Sequence, residues 1–369
     1  MTLRAALAVL VATTGARAAP DPSTSLTILL GGDVALPTGP NDAALDALGP
    51  RVFDLIRPWV QGVDLAICNL ESPLTLRPAT AKKAYPMTMP PARLAWLVGA
   101  GFDVVTLANN HTGDAGPDGV SDTIAALEAA RAERGGDLWW TGLGTDYGRA
   151  GLVVTPPGKS LRVAVLALGV GSIPLVTPWP KTSADRRRLL ARARALAAES
   201  DLLIASLHGG TEYRHELDPM VASLSRALVD AGADVVVAHH PHVIRGIERR
   251  GAGILLHGVG NLAFATMTER HRARGATLWG MLPIVHVVDG RLDHLEIVPL
   301  WVDNAFPLEP ADRPDLPPSP AAALQPRPLL GPYATLALDA LDALSAALPN
   351  GARTMRQGDV GIIPLAPAP

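Results

Sequence analysis

The chain has 369 residues, a formal net charge of -3 and an apolar fraction of 48%, so it is long enough to bury a large core. Basic and acidic residues nearly balance, and no basic stripe with interleaved aromatic residues is present, which argues against nucleic acid as a partner. Cys68 is the only cysteine, so an intrachain disulfide is excluded, and its apolar neighbours predict a buried, inert thiol.

Residues 1–19 have the features of a signal peptide. Arg4 supplies a positive start, Ala5–Ala12 form an apolar stretch, and Ala16-Arg17-Ala18 matches an A-x-A cleavage pattern. The apolar stretch is shorter than the roughly 20 residues that span a bilayer. Cleavage after Ala18 or Ala19 is therefore expected rather than an uncleaved anchor, and the protein is predicted to be exported, either periplasmic or extracellular.

From residue 26 onward, predicted strands and helices alternate. Continuous apolar runs are typical of strands that are covered on both faces, and they occur at Leu26–Leu30, Leu65–Cys68, Phe102–Leu107, Leu161–Leu168, Leu202–Leu207, Asp234–Ala238 and Gly253–Leu256. Predicted helices occupy Asn41–Val60 with an interruption near Gly49-Pro50, Pro117–Arg134, Ser183–Ser200 with a capping box, a segment from Asp218-Pro219 to Asp230, and Tyr333–Leu348.

The later part of the chain changes in character. Asp289-Gly290 predicts a hairpin turn between Pro283–Val288 and Leu292–Pro299. We therefore expect one domain over residues 26–302, followed by a segment (303–369) in which residues 303–332 form a Pro-rich wrap on the surface. A C-terminal helix follows, and the tail after Pro349 is predicted to be loose.

Polar motifs follow five of the predicted strands. They are Asp33, Asn69-Leu70-Glu71, Asn109-Asn110-His111, His208-Gly209-Gly210 and His239-His240-Pro241-His242. Because strand ends converge on one edge of a sheet, these side chains can meet there. Carboxylates, an amide and imidazoles together suit a divalent metal ion.

Each motif also has an ordinary explanation when it is taken alone. Asp33 can lie in a plain turn, Glu71 can begin a surface loop, and Asn109 can serve only to tolerate left-handed backbone. The pair His240 and His242 is the strongest local signal, since alternate residues of an extended segment share a face. The same reasoning points His239 away and excludes it. The isolated histidines are interpreted as surface or core residues: His215, His257, His271, His286 and His294.

In this order the motifs resemble the CapA family, the poly-γ-glutamate capsule biosynthesis proteins, which is itself similar to the calcineurin-like metallophosphoesterases. The resemblance runs from about residue 27 to 265 and is carried by Gly32-Asp33-Val34, Asn69-Leu70-Glu71-Ser72-Pro73, Gly101-Phe102-Asp103-Val104-Val105, Leu107-Ala108-Asn109-Asn110-His111 with Asp114 and Gly116, His208-Gly209-Gly210-Thr211-Glu212-Tyr213, Gly232-Ala233-Asp234, His240-Pro241-His242-Val243 and Gly260-Asn261. Departures include Gly209, where the family has tryptophan, and Ala35, where the phosphoesterases have histidine.

The resemblance implies a fold and a set of roles. The fold is a four-layer α/β/β/α sandwich of the metallophosphoesterase type, with two mixed sheets. One or two divalent ions (manganese, zinc or iron) are implied, with a first ion held by Asp33, Glu71 and His242, and a second by Glu71, Asn110, His208 and His240. His111 is implied as the general acid or oxyanion-stabilising group, with Asp114 orienting it. Residues implied to contact substrate are Lys83, Tyr85, Glu212, Tyr213 and Asn261.

Two functions remain open at this point. One is a metal-dependent hydrolase of the phosphoesterase kind that acts on a phosphoester or an anionic polymer. The other is a non-catalytic envelope component that binds polymer at the same site, through metal or Lys83. Both fit a role in making or exporting a poly-γ-glutamate capsule or another envelope polymer, with membrane synthase subunits as candidate partners. A solute-binding module needs two lobes joined by a hinge, and the sequence shows no clear second lobe, so this function fits less well.

Overall fold

A computed structural model describes residues 22–171, 175–265, 279–302 and 324–366. The proposed signal peptide, His271 and most of the Pro-rich segment lie outside these residues. In the described residues the strands are β1 (Leu26–Ala35), β2 (Leu65–Leu70), β3 (Val104–Thr106), β4 (Trp139–Thr141), β5 (Leu152–Val154), β6 (Val163–Gly169), β7 (Leu202–His208), β8 (Val235–His239), β9 (Ile247–Arg250), β10 (Gly253–Leu256), β11 (Asn261–Phe264), β12 (Trp279–Val288), β13 (Arg291–Trp301), β14 (Arg327–Pro328), β15 (Met355–Gln357) and β16 (Val360–Pro364).

The described residues form seven α-helices, of which all but the third overlap the predicted segments. They are α1 (Asp42–Leu48), α2 (Arg57–Gln61), α3 (Leu94–Ala100), α4 (Gly116–Glu133), α5 (Ser183–Glu199), α6 (Pro219–Asp230) and α7 (Gly331–Ala346). The predicted capping box is present, since the Thr182 hydroxyl accepts a hydrogen bond from the Asp185 amide and the Asp185 carboxylate accepts one from the Thr182 amide. The predicted interruption is also present: α1 ends at Gly49, where φ is +55°, and a 3₁₀ helix (Gly49–Phe53) separates α1 from α2.

The strands form two mixed sheets. The first has the order β15-β16-β13-β12-β1-β2-β3-β4, with β11 paired to β1 and β14 paired to β13. In it β1 runs parallel to β2 and antiparallel to β12. The second has the order β5-β6-β7-β8-β10-β9, in which β6, β7, β8 and β10 are parallel and the two edge strands are antiparallel.

Side-chain alternation along the strands divides the core into three layers of packing. In β1, Leu26, Ile28 and Leu30 face the second sheet and pack with residues such as Val165 and Ile204. Residues on the opposite face of the first sheet pack against α1–α4 and the 3₁₀ helix between α1 and α2. The outer face of the second sheet packs against α5 and α6. The molecule is therefore a four-layer α/β/β/α sandwich, and the predicted fold class is confirmed.

The C-terminal segment departs from the prediction. Within the predicted loose tail, residues 355–364 form two strands: β16 pairs antiparallel with β13 and β15 pairs with β16, which extends the first sheet at its edge. Ile363 is buried and joins the core between the sheets. A short strand of five residues with one buried apolar position gives little periodic signal, and for that reason the sequence did not reveal it.

Two further features complete the description. Cys68 is buried as predicted, and burial raises the pKa of its thiol, so it stays protonated and unreactive. Among the described residues, the structure contains no helix with both the length and the apolar character needed to cross a lipid bilayer.

Candidate metal centre

Asp33 lies where β1 leaves regular pairing, at the carboxyl end of the strand. The register with β2 shifts between Leu30 and Asp33, and Asp33 then lies opposite Asn69 on one side and Asn261 of β11 on the other. Gly32 permits this arrangement, since a Cβ atom there would lie 2.2 Å from the carbonyl oxygen of Gly260. The glycine is therefore required by the close approach of two backbones.

The Asp33 carboxylate is buried and surrounded by donors. The Asn69 amide donates to Oδ1 at 2.8 Å, and the His240 backbone N–H donates to Oδ2 at 3.2 Å. The ring nitrogens Nδ1 of His239 and His242 lie 3.1 Å and 3.5 Å from its two oxygens. Burial alone would raise the pKa of Asp33, but these histidines outweigh it and hold the pKa well below its ordinary value. Asp33 is thus an ionised carboxylate.

Glu71 is a buried carboxylate to which no described residue donates a hydrogen bond. The nearest ring nitrogen, Nε2 of His208, lies 3.2 Å from Oε1, but it is hydrogen-bonded to the Asn110 side-chain oxygen at 2.7 Å. Neither Glu71 oxygen has a hydrogen-bond partner among the described residues. Burial, and next the negative charge of Asp33, raise the pKa of Glu71 well above its ordinary value. Such a group requires a cation or a proton.

Two groups of side chains have ligand atoms close enough to share an ion. Asp33, Glu71 and His208 form one group, and Glu71, His240 and His242 form the other; within each group the ligand atoms lie within 4.8 Å of one another. Glu71 belongs to both groups, which is the bridging position that the resemblance implies. The division of the histidines differs from the implied one, since His208 joins Asp33 and His242 joins His240.

The segment after β8 also differs from the prediction. His240 and His242 have φ values of +91° and +57°, so this segment is not extended and the alternation rule does not apply to it. His239, which that rule excluded, contacts Asp33 directly. His240 and His242 nevertheless come together, with ring centroids 6.0 Å apart. Their grouping was predicted, but the geometric reason given for it was wrong.

The imidazoles differ in their readiness to bind metal. Burial, and next the charges of neighbouring histidines, lower the pKa of His208 well below its ordinary value and that of His240 to about 4, so both rings are neutral, which is the form that binds a metal ion. Burial would also lower the pKa of His242, but the contacts with Asp33 and Asn261 outweigh it and raise that pKa. The Nδ1 atom of His242 lies 2.8 Å from the Asn261 side-chain oxygen, so Nε2 is the nitrogen that can bind a metal ion.

His111 and Asp114 lie together with Lys83 beside the cluster. Nδ1 of His111 is 2.7 Å from Oδ2 of Asp114, the orienting contact that the resemblance implies. The Lys83 ammonium contacts Oδ1 of Asp114 at 2.7 Å, Nδ1 of His111 at 2.8 Å and the carbonyl oxygen of Asn110 at 2.9 Å. Burial, and then the Lys83 charge, outweigh Asp114 and lower the pKa of His111, so the ring is neutral at pH 7.

Of the five residues implied to bind substrate, the structure places three in other contacts. Lys83 directs its ammonium at the His111 loop, and Asn261 is buried, at 1% exposure, behind His242. Tyr213 stacks on the His242 ring, with centroids 5.7 Å apart and an angle of 30° between the planes. Glu212 is near enough for its charge to raise the pKa values of His240 and His242. Tyr85 is 36% exposed.

Two asparagines contribute more than the sequence indicated. The side-chain amide of Asn69 donates to Asp33 and lies 3.2 Å from Nδ1 of His208. Asn109 was interpreted as a turn residue, but its side chain donates to the Leu70 carbonyl at 2.8 Å and its oxygen accepts from the His111 N–H at 3.1 Å. Both amides cross-link the loops that carry the acidic and imidazole ligands.

The donor set fits a divalent metal ion. Two buried carboxylates, three imidazoles and the Asn110 amide oxygen are the ligand types that manganese, zinc and iron accept. The two unsatisfied oxygens of Glu71 are the strongest indication, because a cation would satisfy both. Lysine, arginine and backbone N–H groups do not take that place among the described residues.

Comparison with known proteins agrees with this geometry. The family model described as bacterial capsule synthesis protein PGA_cap matches residues 27–266, which include the whole cluster. The chain belongs to this family. The capsule biosynthesis protein CapA of Bacillus anthracis is 28% identical over 269 residues, which cover 69% of this chain and 62% of the relative. The PGA biosynthesis protein CapA of Bacillus subtilis (strain 168) is 24% identical over 269 residues, which cover 69% of this chain and 66% of the relative.

The matched region thus spans less than two thirds of the length of either CapA relative. The solved structure of TT1561 of Thermus thermophilus is 12% identical to this chain, with a TM-score of 0.37. The match covers 72% of this chain and 99% of the TT1561 chain.

Proposed function

We propose that this protein is an exported, metal-dependent hydrolase of the phosphoesterase kind that takes part in making or exporting a poly-γ-glutamate capsule or related envelope polymer. Membership of the capsule synthesis family supports the biological setting. The buried Glu71 carboxylate, which is shared by two groups of ligands and has no hydrogen bond among the described residues, supports the metal dependence. The substrate is proposed to be a phosphoester or the anionic polymer itself, with membrane synthase subunits as partners.

The cation would be held by Asp33, Glu71, Asn110, His208, His240 and His242. When bound, a divalent ion supplies Lewis-acid activation of water and of the substrate oxygen. The protein supplies the remaining chemistry. His111 is held by Asp114 and lies beside the proposed ligand Asn110. Its protonated form can donate a proton to a leaving oxygen, and its neutral form with the proton on Nε2 can stabilise developing negative charge. Lys83 holds the Asn110 and His111 loop in place through its three contacts.

Turnover of a generic phosphodiester by protein loaded with manganese, zinc or iron tests this proposal. His111→Ala should lower kcat by about 100-fold or more, the usual contribution of a general acid, and should leave the metal content unchanged. Asp114→Asn should give a smaller loss, because the ring keeps its position but loses its anchoring carboxylate. Absence of metal in the purified wild type, or metal-loaded protein with no turnover under any of the three ions, would contradict the hydrolase.

A non-catalytic polymer-binding role is the second candidate, and one observation favours it. Ala35 is buried and packs with Met87 and Phe264, so the position at which phosphoesterases carry a further histidine is apolar here. Metal binding without turnover, together with binding of poly-γ-glutamate that is lost in a His240→Ala/His242→Ala variant, would select this role. Deletion of the gene followed by weighing of surface polymer tests the envelope setting of both candidates.

A further inference from the structure

Arg245 is a buried guanidinium that joins two ligand-bearing loops. It lies three residues after His242, and it is 1% exposed. Its Nε donates to the Arg214 carbonyl at 2.8 Å and its Nη2 donates to the Thr211 carbonyl at 3.0 Å, both in the loop that follows His208. Nη1 has no hydrogen-bond partner among the described residues.

The burial of this charge is not explained by stability alone. Burial lowers the pKa of Arg245 to about 10, so the side chain remains charged at neutral pH. Asp218 and Glu216 attract it from a distance, but the groups that it binds are neutral carbonyl oxygens. A buried cation without a paired anion adds little net stability, so its two hydrogen bonds point to a positioning role.

The two carbonyls lie at the ends of the turn formed by residues 211–214. This turn carries Glu212 and Tyr213, and Tyr213 has left-handed backbone with φ of +57°. The Tyr213 N–H donates to the Pro241 carbonyl at 2.8 Å, and the Tyr213 ring stacks on His242. Left-handed backbone is unfavourable for a bulky residue, so the surroundings must impose it. Arg245 binds the backbone on both sides of the strained residue.

We propose that Arg245 is a positioning residue for the metal centre, which holds the 211–214 turn so that the Tyr213 ring stays seated on the ligand His242. The proposal rests on the metal-dependent function proposed above. It assigns to Arg245 an effect that is transmitted through Tyr213, since the guanidinium itself touches none of the six proposed ligands through a described hydrogen bond. Residues that support ligands in this way typically change metal affinity by about 10–100-fold.

The test is a calorimetric titration of the full chain with Mn²⁺. Arg245→Met should weaken binding by about tenfold or more, and Tyr213→Ala should weaken it similarly. The double variant should bind Mn²⁺ no more weakly than the weaker-binding single variant, because both changes remove the same contact of the Tyr213 ring with His242. Arg134→Met is the matched control: Arg134 also donates to a backbone carbonyl, that of Phe102, at 2.8 Å, but it lies at the opposite end of β3. The Mn²⁺ affinity of the Arg134→Met protein should equal that of the wild type.

Two results would overturn the role of Arg245 without contradicting the proposed function. One is wild-type Mn²⁺ affinity in folded Arg245→Met protein, and the other is a double variant whose loss of Mn²⁺ affinity equals the sum of the two single losses. The first shows a structural role only, and the second shows that Arg245 does not act through Tyr213. If Arg245→Met does not fold, Arg245→Lys decides, since lysine keeps the charge but cannot bind both carbonyls as a fork; wild-type affinity in that variant refutes the role. A wild-type protein that binds no metal refutes the proposed function itself.

Discussion

Replacing Glu71 by glutamine should stabilise the metal-free protein and destabilise the metal-loaded protein relative to the wild type. In the metal-free state, glutamine keeps the shape of the side chain and removes a buried acid that has no hydrogen bond among the described residues and lies near Asp33. Glutamine still buries a polar group without a partner, but burying a charged group in this way costs more than burying a neutral one, which costs about 1–3 kcal/mol. We therefore expect the free energy of unfolding of metal-free Glu71→Gln to exceed that of the wild type by about 1–2 kcal/mol at about pH 7.5.

Bound metal should reverse the order of stability of the two proteins. An ion at about 1,000 times its Kd stabilises a protein by about 4 kcal/mol. If loss of the shared ligand weakens binding about 100-fold, the same ion concentration stabilises the variant by only about 1.4 kcal/mol. The wild type then becomes the more stable protein, or at least regains equality. Seven tryptophans allow unfolding in urea to be followed by fluorescence, once with a chelator and once with Mn²⁺.

The dependence on pH gives a further check. Because the folded-state pKa of Glu71 is raised above its ordinary value of 4.5, the metal-free wild type loses stability as pH rises through that folded-state value. The advantage of Glu71→Gln should therefore vanish below about pH 4.5, where the carboxyl is protonated in both the folded and unfolded states.

Glu248→Gln is the matched control. Glu248 is equally buried, but Arg226 binds its two oxygens at 2.8 Å each and His257 contacts it at 3.0 Å. Removing one partner of such a pair costs about 3–5 kcal/mol, so this variant should lose stability with or without metal. The reasoning is refuted if metal-free Glu71→Gln also unfolds at lower urea than the wild type.

Two further predictions concern the ligands and the glycine that positions them. Metal binding at pH 7 should release protons, in part from His242, whose raised pKa keeps some of it protonated; calorimetry in buffers of different ionisation enthalpy should show less release for His242→Gln and no change per bound ion for His240→Gln. Gly32→Ala should lose about 1–3 kcal/mol or more, since its Cβ would lie 2.2 Å from the Gly260 oxygen, whereas Gly39→Ala, with nothing within 4 Å, should change stability by less than about 0.5 kcal/mol in the same urea assay.

The sequence predicted much of the fold because local signals agreed with tertiary packing. The capping box at Thr182, the proline at the start of α6 and the Asp289-Gly290 turn all have strong local chemistry, and each is present. The strands of β15 and β16 were not predicted, since they are short and partly exposed, and their stability comes from pairing with β13 rather than from their own sequence.

The proximity of the predicted side chains could be anticipated from the sequence, but their individual contacts could not. Asp33 and Glu71 lie at the carboxyl ends of neighbouring strands of the first sheet, so their proximity followed from the strand order. His208 ends a strand of the second sheet and reaches them only because the two sheets pack together. His239 shares a face of β8 with Val235 and Val237, which pack between the two sheets, and this position brings its ring to Asp33. The left-handed backbone at His240 and His242 was not predicted, because histidine gives only a weak sequence signal for it.

The pairing of β1 with β11 and β12 has a consequence for biosynthesis. Asp33 is translated early, yet Asn261, its neighbour in the sheet, emerges from the ribosome more than 200 residues later. β1 therefore cannot pair with β11 and β12 until most of the chain has been synthesised. Contacts of such large sequence separation form slowly. A chain that ends before Asn261 leaves β1 without its pairing to β11 and β12, so the part of the sheet that carries Asp33 is completed only when these late strands are present.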